Sequence, residues 1–252
     1  MRGMEDRYEK LRAYLETLSS FELPSYKELP GIGLYMEQVL DYVRDTLNPA
    51  MPEGESPLTS FMVNNYVKAR IIAEPAGKRY SKDQIGYLLA ISTLKKSLSM
   101  SEIALLIEMD AAVSKDKSIL YGFYKVMSDD LAHEAASKLL RRVEEFHRSY
   151  EKEKERGAED AEEALRDRLG LLALRTAIQS SIYRNMAGAI LRLLEEELHG
   201  EEGTAPDLKV AKKVTKSEEA EARSLEKKRE KALKRKKKED EKIAKNKEEK
   251  KK

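Results

Sequence analysis

The sequence predicts a mostly α-helical protein with a small β-wing near its middle and a charged tail at its end. Three observations carry this. Apolar residues recur at spacings of three and four over most of the first 199 positions, the signature of helices with one buried face. Residues 71–80 interrupt that rhythm with Pro75, Ala76 and Gly77, which suits a hairpin or wing better than a helix. From Gly200 onward the core-forming residues thin out, and residues 216–252 are almost all Lys, Glu, Ala and Arg, a composition that stays disordered or forms a solvated single helix.

In chain order, Tyr8, Leu11, Leu15 and Leu18 predict an N-terminal helix within residues 1–22. Pro24 and Pro30 bracket an extended connection. Leu34, Val39, Leu40, Val43 and Leu47 form the stripe of a second helix over residues 31–47, and residues 48–57 (NPAMPEGESP) read as a loop. Thr59 or Ser60 can cap a short helix over residues 61–69. Ser81 with Gln84 makes a capping box for the next helix, whose apolar face is Ile85, Leu88, Leu89, Ile91 and Leu94. Ser99 or Ser101 starts another, through Ile103, Leu106 and Ile107. Asp129 and Asp130 are expected to open a helix carrying Leu139, Leu140, Val143 and Phe146, and a further helix is expected over residues 158–198. The middle of that last helix (LGLLALRTAIQSSIYRNMAGAILRLL) is apolar over more than one face, which implies burial against more than one partner and suggests a homodimer through this C-terminal region.

Composition narrows the function. The chain has 252 residues, 40% hydrophobic and 37% charged, with no Cys and no Trp. The missing thiols exclude disulfides and thiolate metal sites. His133, His147 and His199 are scattered in charged helical contexts without a spaced partner, so no metal or cofactor is expected. Gly-rich phosphate loops, Gly-x-Ser-x-Gly and His-Glu-x-x-His are absent, and the many carboxylates sit in charge-rich helices, so no enzymatic activity or catalytic residue is expected. The N-terminus has acids within its first six residues and no apolar core, and no apolar run is long enough to span a bilayer, so no membrane contact and a cytoplasmic location are expected. The formal charge of +2 hides an asymmetry: residues 207–252 hold 20 Lys/Arg against 11 Asp/Glu (+9), leaving 28 against 35 (−7) for the rest.

The residues with most to say about function lie in 58–107. Helical spacing on 61–69 turns Met62, Val63, Tyr66 and Val67 largely inward and Ser60, Asn64, Asn65 and Lys68 outward. Asparagine suits a bidentate contact to adenine in the major groove, and a lysine reaches phosphate. Arg70, Lys78 and Arg79 then surround the turn at Pro75 and Gly77, and Tyr80 closes it. In this arrangement Ser60, Asn64 and Asn65 would read base edges. Tyr66, Lys68, Arg70, Lys78, Arg79 and Tyr80 would lie against phosphates of double-stranded DNA.

These residues resemble a MerR-like winged helix-turn-helix. Val63-Asn64-Asn65-Tyr66 stands where that family has Ile-Arg-Tyr-Tyr, and Ile71-Ile72-Ala73-Glu74-Pro75 is similar to its Leu-Leu-x-Pro step. Gly77-Lys78-Arg79-Tyr80 resembles the wing closure, and Leu98-Ser99-Met100-Ser101-Glu102-Ile103 the following helix start. A closer likeness covers residues 23–107: ELPGIGLYMEQVLDYV, LTSFMVNNYVKARII, GKRYSKDQIGYLLAI and LKKSLSMSEI look like the bacterial domain of unknown function 1836 family. The resemblance implies a DNA-binding transcription regulator over residues 23–125, flanked by an N-terminal helix (1–22), a helical region (126–199) and a charged low-complexity tail (200–252). A non-enzymatic adaptor, using the winged fold and the 158–199 helix to hold protein partners, is the alternative.

Overall fold

In the structure, a computed structural model, residues 4–51, 56–113 and 116–199 are described, together with Ala220 and Ser224. The expected tail otherwise lies outside the described residues. The elements are α1 (Met4–Ser19), α2 (Met36–Leu47) followed by one 3₁₀ turn (Asn48–Ala50), α3 (Ser60–Lys68), α4 (Lys82–Leu94), α5 (Met100–Val113), α6 (Lys117–Glu155) and α7 (Ala161–His199). No helix among the described residues is long and apolar enough to cross a membrane.

Caps explain where the short helices begin. The Thr59 hydroxyl accepts the Met62 amide (3.2 Å) and starts α3. Ser81 and Gln84 close the expected capping box on α4, and the Gln84 amide nitrogen also donates to the Ala73 carbonyl (2.7 Å), which pins the preceding loop to the helix. Ser99 and Glu102 form the same reciprocal pair at the head of α5.

Two expected helix starts move. The second helix begins at Met36 rather than 31, because Leu34 leaves the helical stripe to pair with Tyr80 in an isolated antiparallel bridge (N···O 3.0 and 2.8 Å). Helix α6 begins at Lys117, capped by Asp116, whose carboxylate accepts the Ser118 amide (2.9 Å). Asp129, expected to open a helix, instead lies mid-helix. Its carboxylate accepts the Leu23 amide (3.0 Å) and pairs with Lys125. The expected boundary at residues 125/126 therefore falls inside one continuous helix.

The β-wing is also corrected, since no strand forms among the described residues. Residues 76–79 make a two-residue turn with Arg79 N–H on Ala76 O (3.0 Å) and positive φ at Gly77 (55°) and Lys78 (64°), the pattern of a type I′ turn. The arms are joined by the Ala76–Arg79 bridge alone: the next residue on one arm is Pro75, which has no N–H to donate, and on the other Tyr80, whose backbone pairs with Leu34.

The main core collects Leu23 and Leu29, Val39, Val43 and Leu47 of α2, Val63 and Tyr66 of α3, Ile71 and Ile72, and the buried face of α4, closed by Met100, Ile103 and Tyr121. Gly86 lets α6 come close: a Cβ there would sit 3.0 Å from the Tyr121 ring. A second cluster joins Tyr8 and Leu15 of α1 to Val143 of α6, with Leu169 and Leu172 of α7 against it. Tyr8 stacks on His147 (3.6 Å between centroids), and His147 Nε2 lies 3.2 Å from a Glu5 carboxylate oxygen. With Glu151 these two form a group of metal-ligand type, and the stacking gives it a role in holding α1 to α6.

Helix α7 returns along α6 and ends against α5. There Arg184 donates to both carboxylate oxygens of Glu102 (2.8 and 2.7 Å). Burial alone would raise the Glu102 pKa, but the Ser99 amide and hydroxyl and the Arg184 guanidinium outweigh it and hold the carboxyl below its usual value. A depressed carboxylate gives stability that is complete above its unfolded pKa and is lost as pH falls through the folded one. The urea midpoint should therefore drop as pH is lowered below 4.5, and Glu102→Gln should remove part of that drop while lowering the midpoint at pH 7. An identical acid limb in Glu102→Gln would show that the pair contributes nothing to it.

Candidate nucleic-acid interface

Helix α3 presents one polar stripe. Ser60, Asn64 and Lys68, four residues apart, are all exposed, with Phe61 beside them (41%). The opposite face, Val63 and Tyr66, is fully buried, with Met62 and Val67 half-buried beside it, so the expected sides hold for these residues and for Ser60, Asn64 and Lys68 but not for Asn65. Asn65 is half-buried, and its side-chain nitrogen is enclosed without a hydrogen-bond partner.

Two expected contacts do not survive the geometry. Tyr66 is a core side chain at 0% exposure, and Tyr80 is buried at 3% beneath its bridge to Leu34. Neither ring can lie against a phosphate without leaving the core. Helical spacing places Tyr66 inward, and that is where it lies.

The cations form the rest of the site. Lys68, Arg70, Lys78 and Arg79 are exposed. Lys68, Arg70 and Lys78 make no ion pair among the described residues. Arg70 ends α3 in a left-handed conformation (φ 57°), with Arg70 N–H on Val67 O (2.9 Å) and Ile71 N–H on Tyr66 O (3.0 Å). That double closure is a Schellman motif, whose left-handed position is ordinarily glycine. Lys78 is left-handed too, at the second position of the 76–79 turn. These two are the only non-glycine residues with positive φ among those described, and both are exposed cations. Arg79 lies over the Tyr35 ring (4.6 Å to the centroid) and stacks its stem on Gly33, where a Cβ would come within 2.9 Å, so its guanidinium is held in place.

Within residues 68–83 the acids are Glu74 and Asp83. Glu74 is exposed, but Asp83 accepts the Tyr26 hydroxyl, a bond that helps push the Tyr26 pKa up to about 12. The connection between α2 and α3, residues 48–59, is longer than the three or four residues of an ordinary helix-turn-helix. A separate, largely apolar cavity of about 340 Å³ lies between α4, α5 and the first turns of α6, lined by Tyr87, Ile91, Leu94, Ile107, Phe123 and Met127.

Residues 24–127 match the model of a family described as Domain of unknown function (DUF1836). The match takes in α2 to α5 and the first turns of α6, so the α3 stripe and the 76–79 turn both lie inside the matched residues. No curated protein matches the chain, and no solved structure does.

Proposed function

We propose that the DUF1836 segment is a non-enzymatic DNA-binding module of a cytoplasmic transcription regulator, a reduced relative of the MerR-like winged helix-turn-helix. Helix α3 would enter the major groove with Ser60 and Asn64 toward base edges and Asn65 at the margin. Lys68, Arg70, Lys78 and Arg79 would meet phosphates. The observation that carries this reading is the pair of left-handed cations. A non-glycine residue in that conformation costs about 1 kcal/mol or more. Here the cost falls twice within nine residues, each time on an exposed positive charge that makes no ion pair among the described residues, beside a polar helix stripe.

The test is binding to random-sequence duplex DNA as a function of salt, with the full chain and with a chain ending at His199. Four phosphate contacts should give the shorter chain a log–log slope of about −3 to −4. Retention of that slope without the basic tail supports the module. Loss of all binding with the tail would remove it and favour the adaptor reading, which the exposed apolar side chains of α6 and α7 support.

A further inference from the structure

We infer that α7 is an antiparallel dimerisation helix, with the molecular two-fold axis passing beside Ile182. One side of its C-terminal half, with Gly188 and Leu191, is buried, and Arg184 ties this half to Glu102 of α5. The other side is bare. Leu171, Leu174, Ile178, Ile182, Met186, Ile190 and Leu193 stand exposed along one side, from 67% at Leu171 to 65% at Leu193. This inference is independent of the DNA reading and would stand without it.

Three features commit the face to a second copy. The first is register. The seven positions are spaced 3-4-4-4-4-3, so the row reads the same in both directions from Ile182. An isologous antiparallel pair needs that symmetry: Leu171 meets Leu193 of the other copy, Leu174 meets Ile190, Ile178 meets Met186, and Ile182 meets itself. The mean spacing, about 3.67 residues per turn, also keeps the row facing one side of a nearly straight helix.

The second is area. The seven side chains of the row, at roughly 100 Å² each, offer on the order of 700 Å² before the small residues between them are counted, against about 800 Å² per partner in a stable interface. The chain's own tail is a poor alternative cover. Beyond residue 199 its large apolar residues are only Leu208, Val210, Val214, Leu225, Leu233 and Ile243, scattered among charges.

The third is charge. Glu195, Glu196 and Glu197 end the stripe. A parallel pair would set these acids against their own copies. The antiparallel pair lays them instead along Arg166, Asp167 and Arg168, since residue 196 falls level with 168 about the axis. Arg168 already pairs with Glu153 (2.6 Å), so Arg166 is the cation nearest the three acids and the gain is mainly the avoided acid-on-acid contact. The segment between Arg175 and Arg184 carries no charge, which leaves the centre of the contact uncharged around Ile178 and Ile182.

Because the chain has no cysteine, single substitutions read the register directly. Under oxidised glutathione the full chain carrying Ile182→Cys should form a disulfide-linked dimer. Leu171→Cys alone should not, because its two copies would lie ~33 Å apart along the helices, far beyond the roughly 7 Å a disulfide spans. Mixing Leu171→Cys with Leu193→Cys protein should restore the cross-link. Sedimentation should show a dimer for the full chain and a monomer for Ile182→Lys with unchanged helical circular dichroism. Cross-linking of Leu171→Cys to itself would mean a parallel pair and overturn the inference. A full chain that stays monomeric at 100-fold the concentration used for DNA binding would overturn it as well, leaving the face to another partner.

Discussion

Replacing Tyr66 with alanine should cost the segment over residues 24–127 about 4 kcal/mol, the range for removing a large aromatic side chain from a packed interior. Tyr66 is fully buried, packs in the cluster built by α2, α3 and α4, and its carbonyl accepts the amides of both Ile71 and Ile72 (3.0 and 3.3 Å). The ring is thus the seat on which α3 rests and the point from which the chain turns toward residues 76–79. A domain of this size is stable by only about 5–15 kcal/mol, so the variant should sit close to unfolding. Its neighbour gives the control. Asn64 is exposed, and Asn64→Ala should stay within about 0.5 kcal/mol of the parent. Urea unfolding followed by far-UV circular dichroism measures both. A Tyr66→Ala loss under 1 kcal/mol would mean that the ring is not the anchor of α3.

The contrast between Tyr66 and Asn64 shows what the sequence could reveal. Starts governed by local hydrogen bonds were legible: Thr59, the Ser81–Gln84 box and the Ser99–Glu102 pair each act within four residues. The start of α6 was missed: Asp116 caps it two residues before Ser118, but Asp129 and Asp130 offered a competing signal, and only the fold shows Asp129 accepting the Leu23 amide from mid-helix. Leu34 fits a helical stripe by spacing and is claimed by Tyr80, 46 residues away, a choice made by tertiary pairing. Tyrosine is the hardest case, because its ring suits a core and its hydroxyl suits a phosphate. The apolar composition of α7 showed that the helix wants partners, but which face stays bare depends on where α5 and α6 pack. The left-handed backbone at Arg70 and Lys78 has no signature in the residue types, since both positions are ones where glycine would be the ordinary choice.

That last mismatch yields the second large effect. Arg70→Gly with Lys78→Gly should make the protein more stable and a weaker DNA binder at the same time. Each glycine relieves a strained conformation and gives back part of the gain through a freer unfolded chain, for a net of about 1–2 kcal/mol over the two sites. The same change removes two cations, which should reduce the salt slope by about two and lower affinity on the order of tenfold at moderate salt. The charge-preserving pair Arg70→Lys with Lys78→Arg keeps both the strain and the charge, so it should move neither quantity far. Opposite signs in the glycine variant, with the charge-preserving pair near the parent, are what a site that trades stability for binding produces. A glycine variant that gains stability and binds DNA as before would show that the strain has nothing to do with DNA. One that loses stability would mean that the arginine and lysine stems contribute more through packing than their backbone costs, and the observation on which the DNA reading rests would fall with it.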